Sequence, residues 1–260
     1  MARRAVVYRS TEDKTDDQAH SYLQTHQAPH RYLAYKDIPA LIHQFVKGKQ
    51  ALDYGAGTGA SASFLHELGL NVTGVDISYS MLEKAWSNFP QIPFRHIDEL
   101  PGAARFDLVF SSFVLLELSS KNDIISYLSR ASSFLRTDGI FIAITGSEHM
   151  HSLFREWLNF KVNFVENCNL FSGKMVRLAL KSPNMEFYDF FWSEADYLEC
   201  MRKAGLELLQ IHHPLGSHED PYVWKDESFC SPFTIFVAKK LDKMTPDKLS
   251  ILNGLTVSGL

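Results

Sequence analysis

Residues 50–60 read Gln-Ala-Leu-Asp-Tyr-Gly-Ala-Gly-Thr-Gly-Ala, and this stretch decides the fold. Ala51, Leu52 and Asp53 form the end of a buried strand. Gly55, Gly57 and Gly59 follow as three positions without a Cβ, where the backbone can turn sharply or approach a ligand closely. From Thr58 to Leu68 the apolar residues Ala62, Leu65 and Leu68 recur at helical spacing, so a helix begins within the turn. A strand, glycine turn and helix in that order present backbone amides to a ligand at the helix start. Asp53 beside the turn opposes an anionic guest and favours a neutral or cationic one.

Outward from this point, short apolar strands alternate with amphipathic helices, the pattern of a mainly parallel sheet covered on both faces. Strands are predicted at residues 50–54, 71–76, 92–97, 106–111 and 139–145, with helices at 80–88 and 122–135. After a break come a helix at 193–203, with Ser193 as its cap, and strands at 206–212 and 232–239. Upstream, Ile38, Leu41, Ile42, Phe45 and Val46 mark a helix whose first turn accommodates Pro39. The chain therefore divides into a disordered stretch (1–20), a helical lid (21–48), a binding core (49–145), an insertion (146–192), a closing segment (193–240) and a tail (241–260). The insertion holds Phe154, Trp157, Phe160, Phe164, Phe171, Phe187, Tyr188, Phe190, Phe191 and Trp192. Following a central strand, so many rings are placed to roof a ligand crevice.

The 260 residues carry a formal charge of −4, with 45% hydrophobic and 22% charged residues. That balance supplies no general attraction for a long nucleic acid. Cys168, Cys200 and Cys230 are too few and too far apart for a disulfide framework, and no window has the length and apolarity of a membrane span. A cytoplasmic monomer or homodimer, bound to neither DNA nor membrane, is expected.

The Asp53–Gly59 loop, Asp76 in GVDIS, Asp98, the FDLVFSSFVLLEL segment and LRTDGIF occur in an order that resembles the class I, Rossmann-like methyltransferases that use S-adenosyl-L-methionine. The resemblance covers residues 50–145, and the late helix with two strands resembles the family's closing region. It implies a seven-stranded, mostly parallel sheet with helices on both faces, N-terminal lid helices and an aromatic-rich insertion after the fifth strand. It also implies methyl transfer with release of S-adenosyl-L-homocysteine. By the same resemblance, Gly55, Ala56, Gly57 and Gly59 approach the amino-acid part of the cofactor, and Asp53 stands near its ammonium group. Asp76 would receive the ribose hydroxyls, and Asp98 with Glu99 would address the adenine amine. Ile77 and Met81 would pack on the adenine, and Ser111 and Ser112 would reach the methionine portion. SFVLLEL departs from the family's usual form in lacking a histidine; Glu117 holds its acidic position.

A rival reading fits Gly57 to Ala62 to a relaxed dinucleotide motif, GxGxxA, with Asp76 downstream; Asp53 opposes the pyrophosphate that it requires. Displacement at a sulfonium methyl needs alignment and exclusion of water, and a base only where the acceptor must lose a proton. His149, just after the fifth core strand, is the candidate base. Tyr22, Tyr32, Tyr35, Tyr188, Trp192 and His212 are the candidate acceptor contacts, with His30 beside the lid tyrosines. His212, His213, His218, Glu219 and Asp220 are suitable metal ligands in type but complete no recognised spacing, and no metal is expected. The acceptor is read as a small molecule reacting through oxygen, nitrogen or carbon. The alternatives are a protein acceptor and a cofactor-binding module without turnover.

Overall fold

The computed structural model describes residues 6–9, 16–102, 105–182 and 185–241. Its main sheet has seven strands: β2 (Gln50–Tyr54), β3 (Asn71–Asp76), β4 (Phe94–His96), β5 (Phe106–Ser112), β6 (Leu135–Gly146), β10 (Leu206–His212) and β11 (Phe233–Lys240). Their spatial order is β10-β11-β6-β5-β2-β3-β4. Only β11 runs against its neighbours, pairing antiparallel with both β6 and β10. The chain moves outward from β2 through β3 to β4, then returns to place β5 on the other side of β2. That reversal opens a crevice at the carboxyl ends of β2 and β5, the position where open α/β sheets bind ligands.

Side-chain alternation assigns the two faces. Leu108, Phe110, Ile140, Ile142 and Ile144 join one core, with α3 (Ile38–Phe45), α4 (Ala60–Glu67) and α5 (Tyr79–Asn88). Val109, Phe141 and Ala143 join the other, under α6 (Lys121–Phe134) and α7 (Glu194–Lys203). Burial on both faces explains why these strands read as continuous apolar runs. Ser193 caps α7 with a reciprocal bond to Asp196, as the sequence predicts, and Ser120 caps α6.

Two parts differ from the sequence expectation. The insertion is a meander of β7 (Phe160–Lys161), β8 (Lys174–Leu180) and β9 (Met185–Phe191), which form a second sheet. β1 (Val6–Arg9) joins its edge, parallel to β9. The stretch expected to be disordered thus holds a strand, and also most of α1 (Asp16–Leu23). A four-residue strand gains its hydrogen bonds from a partner nearly 180 residues away, and local composition carries no trace of that. Ala19 of α1 and Leu33 of α2 (Pro29–Tyr35) are fully buried in the first core, so the N-terminal helices are integral to it. The predicted tail lies outside the described residues from 242 onward. The three cysteines are free. Among the described residues, no helix is long and apolar enough to cross a membrane, and no group of His, Cys, Asp and Glu could hold a metal ion.

Candidate active site

The glycine turn is built by strand pairing. The amides of Gly55 and Ala56 both donate to the carbonyl of Val75 at 2.9 Å, which folds the loop back over the end of β3. Gly57 (φ 52°) and Gly59 (φ 89°) occupy the left-handed region that glycine adopts without strain. The Gly57 amide then donates to Asp76 Oδ2 at 2.8 Å and the Ser78 amide to Asp76 Oδ1 at 2.9 Å. One carboxylate therefore ties the end of β3 to the glycine loop.

The loop borders a cavity of about 220 Å³, whose walls include Gly55, Gly57, Asp76, Ile77, Met81 and Ser112. Asp53, on the strand that leads into the loop, is fully buried and is not among the residues lining this cavity. Its Oδ2 accepts from the Ser61 hydroxyl at 2.7 Å, while Oδ1 has no hydrogen-bond partner among the described residues. Burial pushes its pKa up to about 7, partly offset by the Ser61 bond and the Arg31 guanidinium. An orphaned buried carboxylate oxygen suits a cationic group, and the residues that follow it, Tyr54 and Gly55, line the cavity. A smaller recess beside the loop is walled by Ala56, Gly57, Ser61, Ser112, Tyr35 and Arg31. Tyr35 donates to Ser112 Oγ at 2.7 Å, and Arg31 lies 4.9 Å from the centre of the Tyr35 ring.

Several predicted residues stand elsewhere. Asp98 and Glu99 do not line the cavity. Asp98, 72% exposed, pairs with Arg130 at 3.1 Å, and Glu99 accepts from Tyr79; Ile97 and Arg130 form that wall instead. Ser111 is buried behind the site and bonds the Tyr127 hydroxyl at 2.8 Å. Gly59 caps α4 from below, facing Phe89 and Phe94.

The candidate base His149 is exposed in the turn after β6 and lines none of the cavities named here. The Ser147 hydroxyl, bonded to the Ser231 carbonyl and accepting the His149 amide, fixes that turn. Tyr188 stacks with Arg177 on the second sheet, and Trp192 is buried with its indole donating to the Leu118 carbonyl. His212 pairs with Asp37. Tyr32 donates to Asp220, which also receives Lys36, Trp224 and the Ser217 amide; this carboxylate anchors the lid helices to the loop 213–232. Of the predicted acceptor contacts, Tyr22 lines the main cavity and Tyr35 the recess.

Sequence reasoning did not single out Tyr127, Arg130, Phe113, Val114 or Arg31 as site residues. Tyr127 stacks on Tyr54 at 4.3 Å and donates to its carbonyl at 2.7 Å. Tyr127 and Arg130 sit three apart on α6, one step beside its Ile124–Leu128–Ala131 stripe, and that offset was the available signal. Phe113 lies directly after β5 with φ 62°, a strained conformation for a bulky residue and of a kind found at ligand sites.

A second chamber, of about 70 Å³, shares Tyr22, Phe113 and Glu117 with the main cavity. Its other walls include Met150, Phe160, Leu178 and Phe187, with His30 and Asp189 among them. His30 is buried and its pKa falls to about 3. The Asn159 amide lies 2.8 Å from His30 Nδ1; an amide N–H can only donate, so the neutral ring carries its proton on Nε2.

A methyltransferase-domain family profile matches residues 25–211. No curated protein matches the chain in sequence. Among solved structures, a methyltransferase from Streptomyces caelestis, CcbJ, is 17% identical over 89% of this chain and 100% of its own, with a TM-score of 0.62. An S-adenosylmethionine-dependent methyltransferase from Clostridium acetobutylicum is 18% identical over 87% of this chain and 99% of its own, with a TM-score of 0.58. At such identities the likeness is one of fold, and the profile match over most of the chain carries the assignment. The protein belongs to the class I S-adenosylmethionine-dependent methyltransferases.

Proposed function

We propose that the protein transfers a methyl group from S-adenosyl-L-methionine to a small-molecule acceptor. The observation that carries this reading is the common wall: Tyr22, Phe113 and Glu117 border both the glycine-loop cavity and the apolar chamber. Bound cofactor supplies a methyl carbon already activated by its sulfonium. The residues present suit such a guest: Asp76 for vicinal hydroxyls, Asp53 beneath the ammonium, Arg31 for the carboxylate, and Ile77, Met81 and Ile97 for the adenine. Asp98, engaged with Arg130, would reach the adenine amine only by leaving that partner. The small apolar chamber supports a compact acceptor over a protein side chain.

Incubation with radiolabelled cofactor and a panel of small acceptors should yield S-adenosyl-L-homocysteine in step with a labelled small product. Label appearing only on protein from a lysate would favour a protein acceptor, and tight cofactor binding without any transfer would favour a non-catalytic module.

The raised pKa of Asp53 gives a second test. Below about pH 7 the free protein holds this carboxyl protonated. A cationic guest favours the carboxylate, so binding releases a proton. Cofactor affinity should therefore rise with pH up to about 7, by up to tenfold per unit for one coupled proton, and level off above. Calorimetry in buffers of different ionisation enthalpy measures that proton directly. Asp53→Asn should remove the dependence, and an unchanged profile in the variant would detach Asp53 from the guest. For the unliganded fold the sign is opposite. A folded-state pKa above the ordinary carboxylate value stabilises at low pH, and that contribution is lost as pH rises from about 4 to about 7.

A further inference from the structure

We infer that Tyr35 serves the methyl donor rather than the acceptor: it fixes Ser112 as a hydrogen-bond donor to the carboxylate of the cofactor's amino-acid end. This rests on the methyltransferase reading above and assigns a positioning residue to that same site.

The recess beside the glycine loop sets the size of what can enter. Its volume is about 20 Å³. A single water-sized group already needs about 10–15 Å³, so the recess takes the end of a guest and no ring. Arg31, Tyr35 and Ser112 all wall it, and Ser112 also borders the main cavity. A ligand in the crevice can therefore lodge one end there.

Tyr35 stands in the middle of a hydrogen-bond chain whose direction is fixed by chemistry. A guanidinium carries donors and no acceptor, so Arg31 Nη2 donates to the Tyr35 hydroxyl, at 3.2 Å. The phenol has one proton, and it goes to Ser112 Oγ at 2.7 Å. Ser112 is thereby held as the acceptor from Tyr35, with its own proton left for a third group. Neither Arg31 nor Ser112 makes any further hydrogen bond among the described residues, and Arg31 has no ion pair among them.

The remaining N–H groups of Arg31 and the O–H of Ser112 thus supply the recess with donors. Such a set suits a carboxylate, and a chain that starts on a cation is polarised so that its last proton is the stronger donor. An ammonium would meet a cation here, whereas Asp53 holds a carboxylate oxygen without a hydrogen-bond partner. The two charged ends of an amino acid are in this way assigned to different residues. Packing keeps the phenol in place. Tyr35 is 5% exposed, with its ring edge-on to Phe64 at 5.0 Å and tilted against Phe110 at 5.9 Å. A side chain locked by packing holds its hydroxyl at one position.

Two nucleosides test this by calorimetry: S-adenosyl-L-homocysteine and its decarboxylated form, which keeps the ammonium and lacks only the carboxylate. Wild type should bind the first at least tenfold more tightly. Tyr35→Phe keeps the packed ring and removes the hydroxyl. It should weaken S-adenosyl-L-homocysteine binding about tenfold, the scale of one hydrogen bond to a charged group, and change binding of the decarboxylated form by less than twofold. A merely structural role would weaken both alike. Ser112→Ala should show the same selective loss, and the double variant should lose little more than Ser112→Ala alone, because Tyr35 acts through that hydroxyl. Thermal unfolding checks that each variant is folded, and the selective loss in Ser112→Ala decides the matter should Tyr35→Phe not fold. Equal wild-type affinity for the two nucleosides, equal losses of both in a folded variant, product affinity within twofold of wild type, or additive losses in the double variant each overturn the inference. A wild type that binds neither nucleoside would overturn the cofactor reading itself, so the two failures are distinguishable.

Discussion

Asp76→Ala should weaken S-adenosyl-L-methionine binding at least tenfold, measured by calorimetry on the purified protein. The carboxylate performs two tasks that the methyl group of alanine cannot. It accepts the Gly57 and Ser78 amides and so holds the glycine loop against the end of β3. It also borders the cavity, where a carboxylate suits the two vicinal hydroxyls of a ribose. Hydrogen bonds to a charged group contribute about 1.5–3 kcal/mol each, so loss of one alone corresponds to roughly a tenfold change or more. The two tasks can be separated. Asp76→Asn retains one oxygen acceptor and should fall between wild type and alanine. A 2′-deoxy cofactor should bind the wild type more weakly but cost Asp76→Ala little further, because the hydroxyl's partner is already gone. Affinity within twofold of wild type, or additive losses in that cycle, would remove Asp76 from the ribose site.

How far the sequence could be read depended on the range of the interactions involved. The strands at 71–76 and 206–212 match the predicted bounds residue for residue, because burial and neighbouring turn residues mark them locally. The glycine turn was legible for the same reason: its conformations are fixed within five residues. β6 begins at Leu135, ahead of the predicted 139, since Leu135 pairs with Phe106 of β5 before a register irregularity, within which Asp138 takes φ 60°. The meander after β6 went unread because its aromatic density fits either a roof or a core. The structure divides those rings. Trp157 and Phe160 are buried, Phe187 lines the second chamber, and Phe154 and Phe171 are exposed.

Site residues follow the same rule. Asp53 and Asp76 sit at strand ends whose direction the pattern fixes. His149 stands only three residues past β6, yet in the turn held by Ser147 it is exposed and borders none of the cavities named above. His30 and Asp189 meet in one chamber although they lie far apart in sequence. Their meeting depends on how the second sheet packs over the first core, and no local pattern encodes that.

Gly57→Ala and Gly59→Ala should separate binding from folding. Both residues have positive φ, so alanine at either carries a backbone penalty of about 1–2 kcal/mol. Their surroundings are opposite. A Cβ on Gly57 would meet nothing within 4 Å, and Gly57 lines both the main cavity and the recess beside it. The added methyl would occupy the space through which a ligand approaches the backbone. Gly57→Ala should therefore lower the melting temperature by only a few degrees yet weaken cofactor binding at least tenfold. A Cβ on Gly59 would lie 2.8 Å from Phe89, 2.9 Å from Phe94 and 3.1 Å from Ala85, where α4 begins against α5 and β4. Overpacking adds typically 1–3 kcal/mol to the backbone term, so Gly59→Ala should lose several kcal/mol of stability in denaturant titration. Where it remains folded, its cofactor affinity should fall less than that of Gly57→Ala. Should Gly57→Ala bind cofactor within twofold of wild type, the open side of that glycine would not be the cradle, and the ligand would have to enter the crevice elsewhere. Equal destabilisation by the two substitutions would show that the loop is packed on both sides, leaving Gly57 no special place in recognition.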